Sequence, residues 1–222
     1  MTSSIHESAN QGRSLSKDEI EDAYAFWAPF YDRVFNAVFR PGRKAAAAAI
    51  NRIGGNVLVV GVGTGLELPL FDSSIRLTGV DMSIPMLRIA QKRVEEAELQ
   101  NVTGLLAMDA LNLAFPDATF DAVVAPFVLT VVPDAHRMLD EAKRVVKPGG
   151  EIVLMNHVAT EKGAIAAIER LMSHHADKLG WNPVFPWSVI ATWIAAQVDI
   201  ELLERKTFPP LSLFTLTRLR RK

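Results

Sequence analysis

A doubly wound α/β domain with a mostly parallel sheet is predicted by three observations. Apolar, β-branched runs alternate with helical stretches along most of the 222 residues. That order lays strands side by side with helices on both faces. The first such run, VLVV at 57–60, ends in Gly61, Gly63 and Gly65. Glycines let a backbone turn sharply and approach a ligand where a side chain would collide. The next run, LTGV at 77–80, closes on Asp81, twenty positions after Gly61. An acid at the tip of a neighbouring strand can accept hydrogen bonds from both hydroxyls of a ribose. Together these features describe a nucleoside-binding crevice outside the carboxyl ends of the strands.

The elements follow in order. Residues 1–16 are polar and serine-rich and read as a disordered tail. Ser16 with Glu19 makes a capping box that opens a helix. That helix carries Tyr24, Phe26, Trp27, Phe30, Tyr31, Phe35 and Phe39, with Pro29 as a bend. Residues 41–54 read as a second helix, with proline early and glycine after its end. Its alanine run, 45–49, is a close-packing face. Strands are expected near 56–61, 75–80, 102–108, 120–125 and 150–157, with helices near 65–70, 84–97 and 134–146. The last helix stops at KPGG, 147–150. A helix near 160–177, an aromatic loop at 181–187, a short helix near 188–196 and strands near 198–207 and 212–219 complete the chain.

Composition narrows the function classes. The formal net charge is −1, so the molecule as a whole does not advertise nucleic-acid binding. There is no cysteine, hence no disulfide framework and no thiolate chemistry. The N-terminus lacks the apolar segment of a signal peptide. The longest apolar stretch, 122–133, is too short to span a bilayer, so any membrane contact is expected at the surface. Neighbouring His174 and His175 do not share a helix face, and no metal site is expected. His6 and His136 carry no readable constellation, and no feature specifies an oligomeric state.

The spacing narrows the nucleoside. A dinucleotide fingerprint would place its third glycine at position 66, which is Leu66, and no Lys–Ser/Thr pair follows to make a phosphate loop. Pattern and context resemble the class I S-adenosylmethionine-dependent methyltransferases. A plain strand-to-helix turn is the bland alternative. The resemblance implies a seven-stranded Rossmann-like sheet closed by a hairpin, a helical N-terminal extension, and S-adenosylmethionine as cofactor. It divides the chain into a tail at 1–16, N-terminal helices at 17–55 and a methyltransferase domain at 56–222.

The resemblance also implies roles. The backbone of Gly61, Gly63, Thr64 and Gly65 passes under the sulfonium amino acid. A helix starting there offers free N–H groups to the methionine carboxylate. Asp81 binds the ribose, or caps the following helix, or both, and Met82 packs on the adenine. Asp109 meets the adenine amino group and Ala110 donates from its backbone; an ordinary loop turn is the alternative for Asp109. Pro126, within APF at 125–127, lines the far side. Two departures matter: many relatives carry an acid where Val59 and Leu111 stand here.

The segments 24–55, 60–70, 127–134 and 153–158 resemble the small bacterial phospholipid N-methyltransferases that act on phosphatidylethanolamine. This implies successive methylation toward phosphatidylcholine by a cytoplasmic protein held peripherally at the inner face of the cell membrane. Aromatic residues mixed with Arg33, Arg40, Arg43 and Lys44 suit a helix drawn to an anionic membrane surface. A lid over the cofactor is the other reading of the same helix. Tyr24 and Tyr31 are assigned to the cofactor side, and Trp27 to the lipid. Tyr24, Tyr31, Phe127 and the 181–187 loop are candidates to hold a cationic headgroup.

Tyr31 and His157 are the catalytic candidates. His157 would accept a proton or bind phosphate, or would be a buried histidine satisfied by a backbone carbonyl. Arg33, Arg43, Lys44 and Lys178 could meet phosphate, though each singly reads first as a solvated surface charge. Three other functions fit the same core: a carbon methyltransferase acting on a quinone precursor, a small-molecule amine methyltransferase, and a non-catalytic module that binds the cofactor.

Overall fold

The computed structural model describes residues 39–158, 185–208 and 214–222. Helix α1 covers 39–53. There follow β1 (Asn56–Val60), β2 (Arg76–Asp81), α2 (Ile84–Glu96), β3 (Val102–Ala107), β4 (Phe120–Pro126), α3 (Ala135–Val145), β5 (Val146–His157), α4 (Trp187–Ala196), β6 (Ile200–Phe208) and β7 (Phe214–Arg221). They form a seven-stranded sheet ordered β3-β2-β1-β4-β5-β7-β6. β1 to β5 pair in parallel, and β7 runs antiparallel to both β5 and β6. Strands are added in one direction from β1 to β3 and in the other from β4 onward, and crevices form at such a switch between β1 and β4.

Period-two alternation sorts β1 between two cores. Val57 and Val59 join Ala46, Ala49 and Ile50 of α1 on one face of the sheet. Leu58 and Val60 join Met138 and Leu139 of α3 and Trp193 of α4 on the other. All four strand residues are buried, and each contributes about 1.5–3 kcal/mol by leaving water. The alanine run supplies small buried residues that bring α1 close to the sheet. Caps fix the helix starts: Ser83 Oγ accepts from Met86 N at 3.4 Å, and Asp134 Oδ1 from Arg137 N at 2.9 Å.

Two expectations are corrected. The helix expected at 65–70 is a single 3-10 turn, Leu68–Leu70. Gly63 (φ 51°) and Gly65 (φ 73°) hold the left-handed conformation there, and Pro69 lacks an N–H, so no α-helix forms. The carboxylate-binding helix N-terminus expected at this point is therefore absent. Strand β5 begins at Val146 rather than near 150, because α3 stops at Val145 and KPGG lies within a register jump of the strand. Lys147 Nζ bridges to Asp121 at 2.7 Å across that jump. The expected helix from Ser16, the helix near 160–177 and most of the aromatic loop lie outside the described residues.

Candidate active site

The site is built at the carboxyl ends of β1, β2, β3, β4 and β5. The chain leaves β1 at Gly61 (φ 68°), and Gly61 and Val62 both donate to Val80 O, at 2.9 and 3.0 Å. The first turn is thereby stitched to β2. A Cβ on Gly61 would come within 2.7 Å of Val128 Cγ2, so only glycine lets the strand end pass the loop after β4. A Cβ on Gly63 would instead meet nothing among the described residues within 4 Å. The crook therefore has a bare backbone facing open space, the shape a closely approaching ligand needs.

Asp81 fixes that crook. Its Oδ2 accepts from Gly63 N and its Oδ1 from Ser83 N, both at 2.8 Å. Each oxygen keeps a further lone-pair direction for a ligand hydroxyl. Burial pushes the carboxyl above its ordinary range, while the amides of Ser83, Gly63 and Met82 pull it back. Beside it Met82 is 55% exposed, leaving a flexible apolar side chain open to solvent.

The next strand end carries Asp109, whose Oδ1 accepts from Leu111 N at 2.8 Å in a tight side-chain turn; Asp109 is exposed and Ala110 buried. Met108 N donates to Asp81 O at 3.0 Å, tying this loop to the crook.

On the far side, Pro126 is buried at the end of β4. Phe127 follows with φ 61°, a conformation that costs a bulky residue on the order of 1–3 kcal/mol and clusters at functional sites. Its N–H is held by Met155 O at 2.6 Å. Its ring packs edge-on against Phe39 of α1 at 4.6 Å and Phe214 of β7 at 5.3 Å. Phe127 thus joins the N-terminal helix to the sheet as well as bordering the crevice. His157 ends β5, is 5% exposed and lies opposite Phe214 in the ladder. Its neighbour Asn156 accepts from Leu129 N at 3.2 Å, holding the β4 loop.

Arg43 is buried on α1, not solvated at the surface as a lone basic residue on a helix suggests; Arg40 and Lys44 are exposed. Its charge acts on Glu67, which sequence reasoning passed over. Glu67 is 6% exposed, two residues past the crook, and burial pushes its carboxyl from 4.5 up to about 7. A hydrogen bond from its own backbone amide, Arg43 and Arg93 counter that rise and Asp81 adds to it. The signal was present: one acid inside the otherwise apolar GLELPLF, 65–71. Tyr24, Trp27, Tyr31, Arg33 and Lys178 lie outside the described residues.

A crook with a bare glycine face, a strand-end carboxylate and an exposed methionine fit a nucleoside carrying an amino-acid arm. The methyltransferase-domain family model matches residues 58–154. A solved S-adenosylmethionine-dependent methyltransferase from Aquifex aeolicus superposes with a TM-score of 0.62 at 18% identity, covering 82% of this chain and 89% of that one. The chain belongs to the class I S-adenosylmethionine-dependent methyltransferases, and S-adenosylmethionine is its cofactor. Within that class it is 42% identical to a phosphatidylethanolamine N-methyltransferase from Cereibacter sphaeroides, over 94% of this chain and 100% of that protein. A demethylmenaquinone methyltransferase from Thermus thermophilus is 34% identical over 65% of this chain and 68% of its own length. Among the described residues no helix is long and apolar enough to cross a membrane.

Proposed function

We propose that this enzyme methylates the amino headgroup of phosphatidylethanolamine, toward phosphatidylcholine, at an anionic membrane surface on the cytoplasmic side. One observation carries the reading. Similarity to a phosphatidylethanolamine N-methyltransferase runs through 94% of the chain, well beyond the cofactor motifs, whereas similarity to the quinone enzyme covers 65%. The quinone relatives keep carbon methylation of a quinone precursor as the second reading.

The cofactor supplies a methyl group on a sulfonium, which an amine attacks in line. Each methylated headgroup would carry a proton on nitrogen that must be lost before a further transfer. The protein positions the amine, excludes water and accepts that proton. In this reading the Gly61–Gly65 crook holds the amino-acid arm, Asp81 the ribose, Met82 and Pro126 the two sides of the base, and Asp109 with Ala110 its edge. His157 takes the proton or meets the phosphate, with Tyr31 as the other catalytic candidate. Phe127, Trp27, Arg33, Arg43 and Lys178 are assigned to the lipid, and Tyr24 with Tyr31 to the cofactor. Residues 17–55 serve as lid and membrane-facing element over the methyltransferase domain of 56–222, with the sheet-packed α1 as their inner end.

Expression in a host lacking phosphatidylcholine, followed by lipid extraction and thin-layer separation, tests the substrate. Methylated phosphatidylethanolamine is expected. Methylated quinone with unmodified phospholipid would reverse the assignment. Flotation with liposomes tests the surface: enrichment on anionic over neutral vesicles is expected, and equal recovery removes the membrane part.

A further inference from the structure

Glu67 is a buried carboxyl that the roles above leave unused. Of the buried acids among the described residues, Glu141 accepts from Arg144 at 2.8 Å and Glu151 from Arg218 at 2.9 Å. Each is neutralised inside a packed network. No arginine hydrogen bond of that kind is found for Glu67 among the described residues. The charged groups acting on it are those that frame the crook: Arg43 from α1, Asp81 at the end of β2 and Arg93 from α2. Two of them bond to the crook itself, Asp81 to Gly63 N at 2.8 Å and Arg93 Nε to Thr64 O at 2.9 Å.

Among the described residues around the crook, Glu67 is the buried acid without an arginine hydrogen bond. Val59, in β1, is apolar and fully buried, and the lone pairs that Asp81 keeps beside its bonds to Gly63 N and Ser83 N are taken in the cofactor reading by the ribose hydroxyls. A buried carboxylate whose charge is only partly countered, here by Arg43 and Arg93 at a distance, is costly, and a cation bound beside it reduces that cost. We propose that Glu67 is the anionic ligand for the α-ammonium of the cofactor's amino-acid arm, held from the floor of the glycine crook. The inference rests on the cofactor reading and not on the identity of the methyl acceptor. It carries a corollary: Glu67 binds the ammonium as an anion, so loading the cofactor near neutral pH releases a proton.

Calorimetry on the full chain tests it with two ligands. S-Adenosylhomocysteine carries the ammonium, and 5′-methylthioadenosine shares the nucleoside and thioether but lacks the amino-acid arm. Glu67→Gln, nearly isosteric, is expected to weaken S-adenosylhomocysteine roughly tenfold or more and to leave 5′-methylthioadenosine unchanged, which also shows that the variant is folded. For the parent protein, S-adenosylhomocysteine affinity should rise from pH 5.5 to 7.5. The heat should depend on the buffer's ionisation enthalpy with the sign of proton release, and both effects should vanish in Glu67→Gln. Unchanged binding of both ligands, or an equal loss of both, overturns the role of Glu67 while the cofactor reading stands. A parent protein that binds neither ligand removes the cofactor reading and this inference with it.

Discussion

Glu67 and Glu141 are both glutamates buried within one domain, 6% and 3% exposed, and their carboxyls are pushed in opposite directions. The hydrogen bond from Arg144 holds Glu141 below the ordinary range, aided by the amide of Leu113 and the nearby Arg137. Burial drives Glu67 up to about 7. Glu141 Oε2 takes Leu113 N and Arg144 Nη2, both at 2.8 Å, and Arg144 continues to Asp117 at 2.8 Å. That cluster locks α3 to the loop before β4. It lies on the α3 side of the sheet, where a fixed network serves packing. Glu67 lies two residues past the crook, where the same chemical group has no arginine hydrogen bond among the described residues. Burial alone does not separate a scaffold acid from a ligand-binding one; the completeness of its hydrogen bonds does.

The contrast can be broken by deletion. Glu141→Ala should cost roughly 3–4 kcal/mol in urea unfolding, because it strands Arg144 and the Leu113 amide, and it should leave S-adenosylhomocysteine affinity within about twofold. A large loss of affinity with little loss of stability would erase the distinction.

The two acids should also give opposite pH slopes. The folded-state pKa of Glu67 lies above its ordinary 4.5, so the fold binds its proton more tightly than the unfolded chain does. Stability contributed there is intact below 4.5 and falls as pH rises toward about 7. Glu67→Gln should therefore be more stable than the parent by roughly 2–3 kcal/mol at pH 8 and equal to it near pH 4.5. Glu141, lowered in the fold, stabilises above 4.5, and that contribution is lost as pH falls further. Denaturant titrations of the two variants across pH check both signs. Parallel slopes would mean that the two carboxyls sit in equivalent surroundings.

The smallest effect belongs to the exposed rim. Asp109→Ala should change stability by less than about 0.5 kcal/mol. It should weaken the cofactor about fivefold, near 1 kcal/mol for one hydrogen bond. Affinity unchanged by the substitution would remove Asp109 from the adenine edge.

The alternation of strands and helices, the glycine crook and the acid at the end of β2 were legible in the chain. Each is a local pattern with one physical meaning: β-branched runs for buried strands, glycines at positive φ, a carboxylate twenty residues past the first glycine. The 65–70 helix was misread because apolar spacing outweighed Pro69 and the left-handed Gly65, which forbid a regular helix from the first turn. Arg43 was misread because its burial depends on α1 meeting the sheet, a contact between segments distant in sequence. Glu67 went unnoticed for the same reason. A single acid in an apolar run gains meaning only when Arg43 and Asp81 are brought around it.

β6 meets the sheet only through β7, which is inserted between it and β5. Any opening that frees β7 from β5 must therefore release β6 as well. In deuterium labelling, such an opening exposes the β7 amides that face β5 while the β6–β7 ladder stays paired. The β5–β7 seam, with His157 facing Phe214 at its end, then sets the order in which this edge of the domain comes apart.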